Sequence, residues 1–301
     1  MPLPSSPGIH LPLSGNVRGI VWMLLTGVLF VAVTVTVRYL GTTMHPIQAA
    51  FIRYCFGLVI ILPMLSRAGI LNLSWKRLGF HGLRGLIHGG GVMLWFLAMS
   101  RIPIAEVTAL GFTTPIFATL GAALFLNERF RSDRLVVILV GFLGALLILR
   151  PGFRVIDIGA FAQLAAAPLF ACSYLMVKSA TQKESSAMIV VLLSVFCTLT
   201  LAAPALWVWR PPVLHELVLL ATTAMLATAG HYCMTRALAA AEVSAVQPFT
   251  FLQLVWATLF GLILFDERPD FWIWCGGAVI VGAATWMARK EVRSLRSKSA
   301  P

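Results

Sequence analysis

Two histidines lie on hydrophobic stretches of the sequence that carry few other charges. In the third such stretch, one helix face would hold Arg84, His88, Gly91 and Trp95, which follow each other at helical spacing. An imidazole beside an indole can contact a flat ring, form a hydrogen bond, or take up a proton between pH 5 and 8. This face therefore predicts a binding surface or a proton-carrying position.

The eighth stretch shows a comparable face with Thr228, His231 and Thr235. Three consecutive glycines, residues 89–91, follow His88 directly. Glycines of this kind allow either close packing of a neighbouring helix or the approach of a ligand to the backbone. Each histidine can likewise hydrogen-bond a neighbouring helix instead of a ligand, so both interpretations stay open.

Aromatic and polar side chains recur on two further stretches at equivalent positions. The sixth carries Gln163, Phe170 and Tyr174, and the first carries Phe30 and Thr34. Such a stripe is either part of the packed core or a stacking wall for a flat substrate.

The ninth stretch combines polar residues with a helix-breaking residue. It carries Thr250, Gln253 and Trp256 after Pro248, and the fourth stretch carries Thr114 next to another proline. A proline frees a backbone carbonyl one turn earlier. Broken helices near the middle of the membrane are typical of transporter sites.

Arg53 is the formal charge placed deepest inside a hydrophobic stretch. If it faces a cavity, it would attract a carboxylate or phosphate. Alternatively, it extends toward the membrane surface, or it pairs with a helix end or with Tyr54 or Tyr39.

The composition indicates an integral membrane protein. Hydrophobic residues make up 59% of the chain and charged residues 11%, whereas a soluble protein would have about 25% charged residues. The net charge of +12 fits basic residues at membrane edges, so we expect no nucleic-acid partner. The five cysteines lack paired spacing, and no phosphate-binding loop, HExxH motif or serine elbow occurs. We therefore expect no catalytic residues, no metal site and no cofactor.

Ten hydrophobic stretches are long enough to be considered membrane spans. We place them at approximately residues 18–38, 46–65, 79–100, 104–126, 133–150, 157–177, 187–208, 215–236, 242–265 and 270–288.

The sequence contains an internal repeat. The segment 98–129 returns as 237–268, and each copy ends in a Glu-Arg pair. Glu128 and Glu267 in these pairs are expected to cap or pair at the membrane edge. Five spans in each half invert the second half relative to the first, which predicts an all-α integral membrane protein of ten transmembrane helices in two five-helix inverted-topology repeats. The predicted divisions are a disordered tail over 1–17, repeats over 18–150 and 157–288, and a basic cytoplasmic tail over 289–301.

The distribution of Lys and Arg predicts the orientation. With the N-terminus inside, 16 of these residues fall on the cytoplasmic side and six on the other. Cytoplasmic segments carry the excess of positive charge, so both termini are predicted to be cytoplasmic.

The repeated segments and the motif RYCFGLVIILPML in the second span resemble the drug/metabolite transporter superfamily, specifically the bacterial EamA-type proteins. The resemblance extends from Arg18 to Met287. It implies a central cavity surrounded by spans one to four and six to nine. Within the family, the HYCMTRAL and FTFLQLVWATLFGLILFDERPD segments are similar to a branch that includes riboflavin and S-adenosylmethionine carriers.

The expected function is secondary transport of a small organic metabolite across the bacterial inner membrane by alternating access. The substrate class covers amino acids and riboflavin-like, S-adenosylmethionine-like or drug-like compounds. A membrane-embedded enzyme and a non-transporting scaffold are the alternatives. The expected partners are the substrate, the lipid bilayer, and a proton or counter-substrate for coupling; a homodimer is compatible with the sequence.

Overall fold

The computed structural model describes residues 15–40, 44–65, 74–101, 107, 110–126, 128, 132–149, 157–265 and 271–299. These residues form helices joined by short connections, and no strand occurs among them. Within the described ranges, the ten helices of twelve residues or more are α1 (Gly15–Leu40), α2 (Pro46–Leu65), α3 (Trp75–Arg101), α4 (Thr114–Phe125), α5 (Ser132–Leu149), α6 (Ile158–Ala180), α7 (Ser186–Trp207), α8 (Leu214–Ala240), α9 (Leu252–Phe265) and α10 (Phe271–Ser299).

The helices follow the predicted spans, except that the ninth span is broken and the tenth helix extends further than predicted. The ninth span is divided into a short helix (Val243–Val246), a 3₁₀ turn (Gln247–Phe251) and α9. Pro248 accounts for this break because proline cannot donate a backbone hydrogen bond. α10 continues to Ser299, so most of the predicted basic tail is helical. The beginning of the fourth span and the residues before Gly15 lie outside the described residues.

Polar residues in the connections define where several helices begin. Asp157 precedes α6 and accepts a hydrogen bond from the backbone N–H of Gly159 at 2.7 Å. Ser185 does the same for α7 through the N–H of Met188. These side chains satisfy backbone donors that have no partner in the first turn of a helix.

The described helices have the length and surface of membrane spans. In the part of the chain that the structure describes, six segments are long and apolar enough to cross a bilayer, and shorter apolar helices accompany them. Large hydrophobic residues such as Leu124, Phe125 and Ile263 are about three-quarters exposed. Exposing such side chains to water would be unfavourable, whereas the hydrocarbon of a bilayer accommodates them. The chain is an all-helical integral membrane protein, as its sequence predicted.

Helices of one half pack against the equivalent helices of the other half in reciprocal pairs. α1 packs against α8, and α3 packs against α6. The same exchange relates the α4–α6 contact to the α1–α9 contact. α2 packs against α7, and α5 against α10. Because exchanging the halves reproduces the contacts, an approximate two-fold axis relates them, as inverted repeats require.

Two apolar clusters account for much of the buried core. Phe30 and Tyr174 pack against one, which centres on α1 and α8. Trp95 and Phe170 pack against the other, which joins α2, α3 and α7. The aromatic residues of the sequence stripes therefore stand at the inner margin of the packed core.

Candidate functional site

A cavity of about 190 Å³ lies between the two halves. Both halves contribute to its wall, the first through α1 to α4 and the second through α6, α8 and the broken ninth span. Twelve residues that the sequence singled out line it: Phe30, Thr34, Arg53, His88, Trp95, Thr114, Gln163, Phe170, Tyr174, His231, Thr250 and Gln253.

Two other predicted residues stand outside the lining. Gly91 packs against the Phe170 ring, since a Cβ on this glycine would lie 3.0 Å from Phe170 Cε1. Gly89 approaches Thr200 of α7 in the same way. Trp256 is partly buried, and its Nε1 has no hydrogen-bond partner among the described residues. Gly89 and Gly91 thus allow close helix packing.

Four rings form a continuous chain across the two-fold axis. Phe30 contacts His231 with ring centroids 5.1 Å apart. His231 contacts His88 at 5.3 Å, and His88 contacts Phe170 at 5.2 Å. All three contacts are edge-to-face, the arrangement that aromatic rings prefer over a face-to-face sandwich. The equivalent helices α1 and α6 supply the phenylalanines, and α3 and α8 supply the histidines.

The two histidines differ in their hydrogen bonds. His88 Nδ1 lies 3.1 Å from the Ser173 hydroxyl of α6. His231 Nδ1 is buried and has no partner among the described residues. His88 therefore has both of the roles that the sequence allowed, helix contact and cavity lining, while His231 retains unused hydrogen-bonding capacity.

Three threonines in the cavity wall donate their hydroxyl protons to backbone carbonyls of their own segments. Thr34 Oγ1 donates to the carbonyl of Phe30 at 3.0 Å, and Thr26 Oγ1 donates to that of Trp22 at 2.8 Å. Thr250 Oγ1 donates to the carbonyl of Gln247 at 2.7 Å, in the 3₁₀ turn. These hydroxyls can still accept a hydrogen bond from a ligand, but their protons are already used.

Arg53 does not extend to the membrane surface. Arg53 is only 6% exposed. Its guanidinium carbon lies 3.9 Å from the centre of the Tyr54 ring. The same residue lines the cavity. Two of the alternatives left open by the sequence are thus combined, a tyrosine contact and a cavity position.

Twelve further lining residues are not among the site candidates predicted from the sequence. Most are apolar, and nothing in an apolar residue type distinguishes a cavity wall from the core. Gln247 shares the broken ninth stretch with Thr250 and Gln253, and its Oε1 is buried without a partner among the described residues. These residues are Met23, Thr26, Val33, Val92, Met99, Val107, Gly111, Phe112, Pro115, Ala227, Met234 and Gln247.

Charged side chains hold together the helix ends where α8 meets the broken ninth span. Glu128 accepts a hydrogen bond from the N–H of Val243 at 2.8 Å, as a helix cap does. Lys178 donates to the carbonyls of Leu238 at 2.8 Å and Ala241 at 2.6 Å. These residues do not line the cavity.

An ion pair joins Arg134 of α5 to Glu242, next to the start of the broken ninth span. Arg134 is almost fully buried, whereas the Glu242 side chain is about half exposed. The ion pair and the neighbouring hydrogen bonds connect the first half to the second. They support the interpretation of Glu128 as a capping residue and not a substrate contact.

Comparison with known proteins decides the family. The model of the EamA-like transporter family matches residues 17–150 and again residues 157–289. The chain belongs to the EamA-like transporter family. The two matches correspond to the two halves that the helix contacts relate, and they confirm the resemblance drawn from the repeated segments.

Several curated members of the EamA-like family are similar to the chain along nearly its whole length. A riboflavin transporter of Rhizobium johnstonii is 33% identical, covering 94% of this chain and 95% of the relative. A riboflavin transporter of Vibrio cholerae is 32% identical over 93% and 95%. An S-adenosylmethionine uptake transporter of Rickettsia bellii is 29% identical over 93% and 96%.

A solved crystal structure also shares the fold. It superposes with a TM-score of 0.75 at 20% identity, covering 92% of this chain and 98% of the other. The family and the curated relatives are transporters, so the chain is a transporter of small metabolites and not an enzyme. Among the described residues, no three His, Cys, Asp or Glu side chains lie together as a metal site would need.

Proposed function

We propose that this protein is a secondary carrier of a flat heteroaromatic metabolite, with riboflavin as the first candidate. The observation that carries the proposal is the ring chain Phe30–His231–His88–Phe170, which crosses the two-fold axis inside a cavity lined by both halves. Carriers with inverted repeats bind their substrate at such an interface and expose it alternately to each side.

The cavity wall suits a flat, partly polar ligand. Trp95 and Tyr174 add two more aromatic side chains to the wall, and stacking on aromatic side chains contributes about 1–3 kcal/mol per heterocyclic base. Met23, Met99 and Met234 also line it, and methionines adapt to the outline of a ligand. Buried amide and imidazole atoms without partners supply hydrogen bonds at the edges.

Riboflavin is placed first because relatives named as riboflavin transporters are similar along the full chain. Its three-ring isoalloxazine system is flat and carries carbonyl acceptors along one edge. S-adenosylmethionine is the second candidate, since other relatives are named for its uptake and its adenine ring is also flat.

The proposal includes the placement of the chain in the membrane. It assigns residues 18–150 and 157–288 to the two repeats, residues 1–17 and 289–301 to the tails, and both termini to the cytoplasmic side of a bacterial inner membrane. The excess of Lys and Arg on the predicted cytoplasmic side supports this orientation. The proposal is compatible with a homodimer. In such a dimer each chain would keep its own complete cavity.

Energy coupling is proposed to involve either a proton or a counter-substrate. Among the described residues that line the cavity, His88 and His231 are the side chains that titrate closest to neutral pH in water. Proton coupling would therefore use this pair, whereas exchange would not need it. Transport driven by an imposed pH gradient, and lost in His231→Gln, would favour the proton.

The experiment that tests the function is uptake of radiolabelled riboflavin into proteoliposomes containing the purified protein. We expect saturable uptake that unlabelled riboflavin inhibits and that protein-free liposomes lack. Absence of uptake and of riboflavin exchange, with correctly inserted protein in the vesicles, would refute riboflavin as substrate. The same vesicles tested with S-adenosylmethionine decide the second candidate.

A further inference from the structure

Arg53 is a buried charge in a cavity that otherwise lacks one. The described residues lining the cavity include no carboxylate and no second arginine or lysine. Arg53 is 6% exposed, and its Nε has no hydrogen-bond partner among the described residues. Its neighbour in the structure is the face of the Tyr54 ring, 3.9 Å away.

Such an arrangement is costly unless something compensates for it. Removing a charged group from water carries a penalty of several kcal/mol, which a partner charge or hydrogen bonds must offset. A desolvated contact with an aromatic face recovers about 2 kcal/mol or more, which offsets only part of a penalty of several kcal/mol. Charged side chains kept inside a membrane protein in this way usually mark the path of a substrate.

The other donors in the wall include the neutral side-chain amides of Gln163, Gln247 and Gln253, which form weaker hydrogen bonds than a charged group does. Thr26, Thr34 and Thr250 have already donated their protons to backbone carbonyls. The buried atoms without partners that belong to other lining residues are Gln163 Oε1, Gln247 Oε1 and His231 Nδ1. The guanidinium is therefore the strongest donor that the cavity offers to a ligand.

We propose that Arg53 determines substrate specificity by binding the acceptor-rich edge of the heterocycle and by rejecting cations. Carbonyl oxygens of a pyrimidine-dione edge match the planar donor fork of a guanidinium. A ligand with a fixed positive charge would meet Arg53 in a cavity without a compensating carboxylate. This inference rests on the proposed function and makes it more specific.

The inference separates the two substrates suggested by the relatives. Riboflavin is neutral and has a dione edge, so it satisfies Arg53. S-adenosylmethionine carries a sulfonium charge, so it is disfavoured. S-adenosylhomocysteine has the same scaffold without that charge, and comparing the two compounds isolates the effect of charge.

The test measures binding to purified protein in detergent. Riboflavin affinity is obtained from flavin fluorescence, and the two adenosyl compounds are then used to displace the flavin. The variants are Arg53→Met, Arg53→Gln and Arg53→Lys. Arg84→Lys is the control. The sequence placed Arg84 on the same predicted face as His88, but the structure leaves it outside the cavity lining. It is also a buried arginine, and it donates to the carbonyl of Ile189 at 3.0 Å. Size-exclusion profiles establish that each variant is folded.

We expect Arg53→Met and Arg53→Gln to bind riboflavin about 10- to 100-fold more weakly, the range for a lost charged hydrogen bond. Arg53→Lys should lose part of the affinity and still prefer S-adenosylhomocysteine over S-adenosylmethionine. That preference should disappear in Arg53→Met, while Arg84→Lys should behave as the wild type does. If neither adenosyl compound displaces the flavin, the riboflavin affinities alone decide.

Unchanged riboflavin affinity in folded Arg53→Met or Arg53→Gln would overturn the inference, as would equal displacement by the two adenosyl compounds in the wild type. If Arg53→Met does not fold, Arg53→Gln and Arg53→Lys provide the same comparison. The proposed function fails separately, when wild-type vesicles neither take up nor exchange riboflavin.

Discussion

Adding a single methyl group at Gly91 should disturb the binding cavity without breaking the helix that carries it. Gly91 and Gly90 are neighbours in α3, but their surroundings differ. A Cβ at Gly91 would lie 3.0 and 3.2 Å from two carbons of the Phe170 ring, whereas a Cβ at Gly90 would meet only Leu169 Cδ1 at 3.8 Å. The pair therefore separates the effect of a methyl group on the helix from its effect on the cavity.

The expected magnitudes follow from these distances. Alanine is favoured over glycine inside a helix by about 0.5–1 kcal/mol, so Gly90→Ala should raise the unfolding midpoint. At Gly91 the Phe170 ring must move by a few tenths of an ångström, and overpacking of this kind costs about 1–3 kcal/mol. Phe170 lines the cavity, so a ring displaced toward it competes with the ligand. We expect Gly91→Ala to lower riboflavin affinity by at least about fivefold, the factor that corresponds to 1 kcal/mol when 1.4 kcal/mol is a factor of ten.

The two-fold axis provides an internal repetition of the experiment. A Cβ at Gly230 would lie 2.8 Å from Cε1 of Phe30, the ring at the other end of the four-ring chain. Gly230→Ala should therefore lower affinity as Gly91→Ala does. Flavin titration and thermal unfolding of the same preparations measure both quantities.

The reasoning would be refuted if Gly90→Ala lost as much affinity as Gly91→Ala. That result would mean that the methyl group acts through the helix and not through Phe170. Equal affinity in Gly91→Ala and the wild type would show that the ring is displaced away from the ligand or does not contact it.

Three other changes give separate expectations. Trp95→Ala should weaken riboflavin binding by about tenfold or more, given a stacking contribution of about 1–3 kcal/mol, with little loss of thermal stability; a large fall in the unfolding midpoint would instead assign Trp95 to packing. Lys178→Met should lower stability by about 1–3 kcal/mol because two hydrogen bonds to the end of α8 are lost, with riboflavin affinity as the property that must not change. Ser173→Ala removes the hydroxyl partner of His88 and leaves the ring chain in place, so unfolding measurements should show destabilisation, and an unchanged midpoint would mean that the imidazole finds another partner.

Much of the fold was predictable because membrane insertion leaves a strong pattern. Long apolar stretches and the repeated segments predicted the helices and the inverted relation of the two halves. The ends of the ninth and tenth spans were less predictable. Pro248 was recognised as a helix breaker, but the length of the 3₁₀ turn after Val246 depends on packing. The continuation of α10 to Ser299 has no hydrophobic signal, since the residues involved are polar.

The candidate site was predictable where polar or aromatic residues interrupt an apolar helix. His88, His231 and Gln163 were visible for that reason, and the structure places all of them around the cavity. Met99 and Val92 were not visible, because an apolar lining residue has the same sequence signal as a lipid-facing or core residue. Gly91 carried a signal that was correct about close approach, but its neighbour is the Phe170 ring.

The sequence by itself determined that this chain is a duplicated helical membrane protein, because hydrophobic length and repetition are properties of local segments. It also showed that Arg53 is a charged residue well inside an otherwise apolar span. Only the tertiary structure decided what that charge faces, since the direction of one side chain depends on how α2 is rotated against its neighbours. The same packing brings His88 and His231 together from sites 143 residues apart in the chain, a contact that the spacing within either segment does not encode.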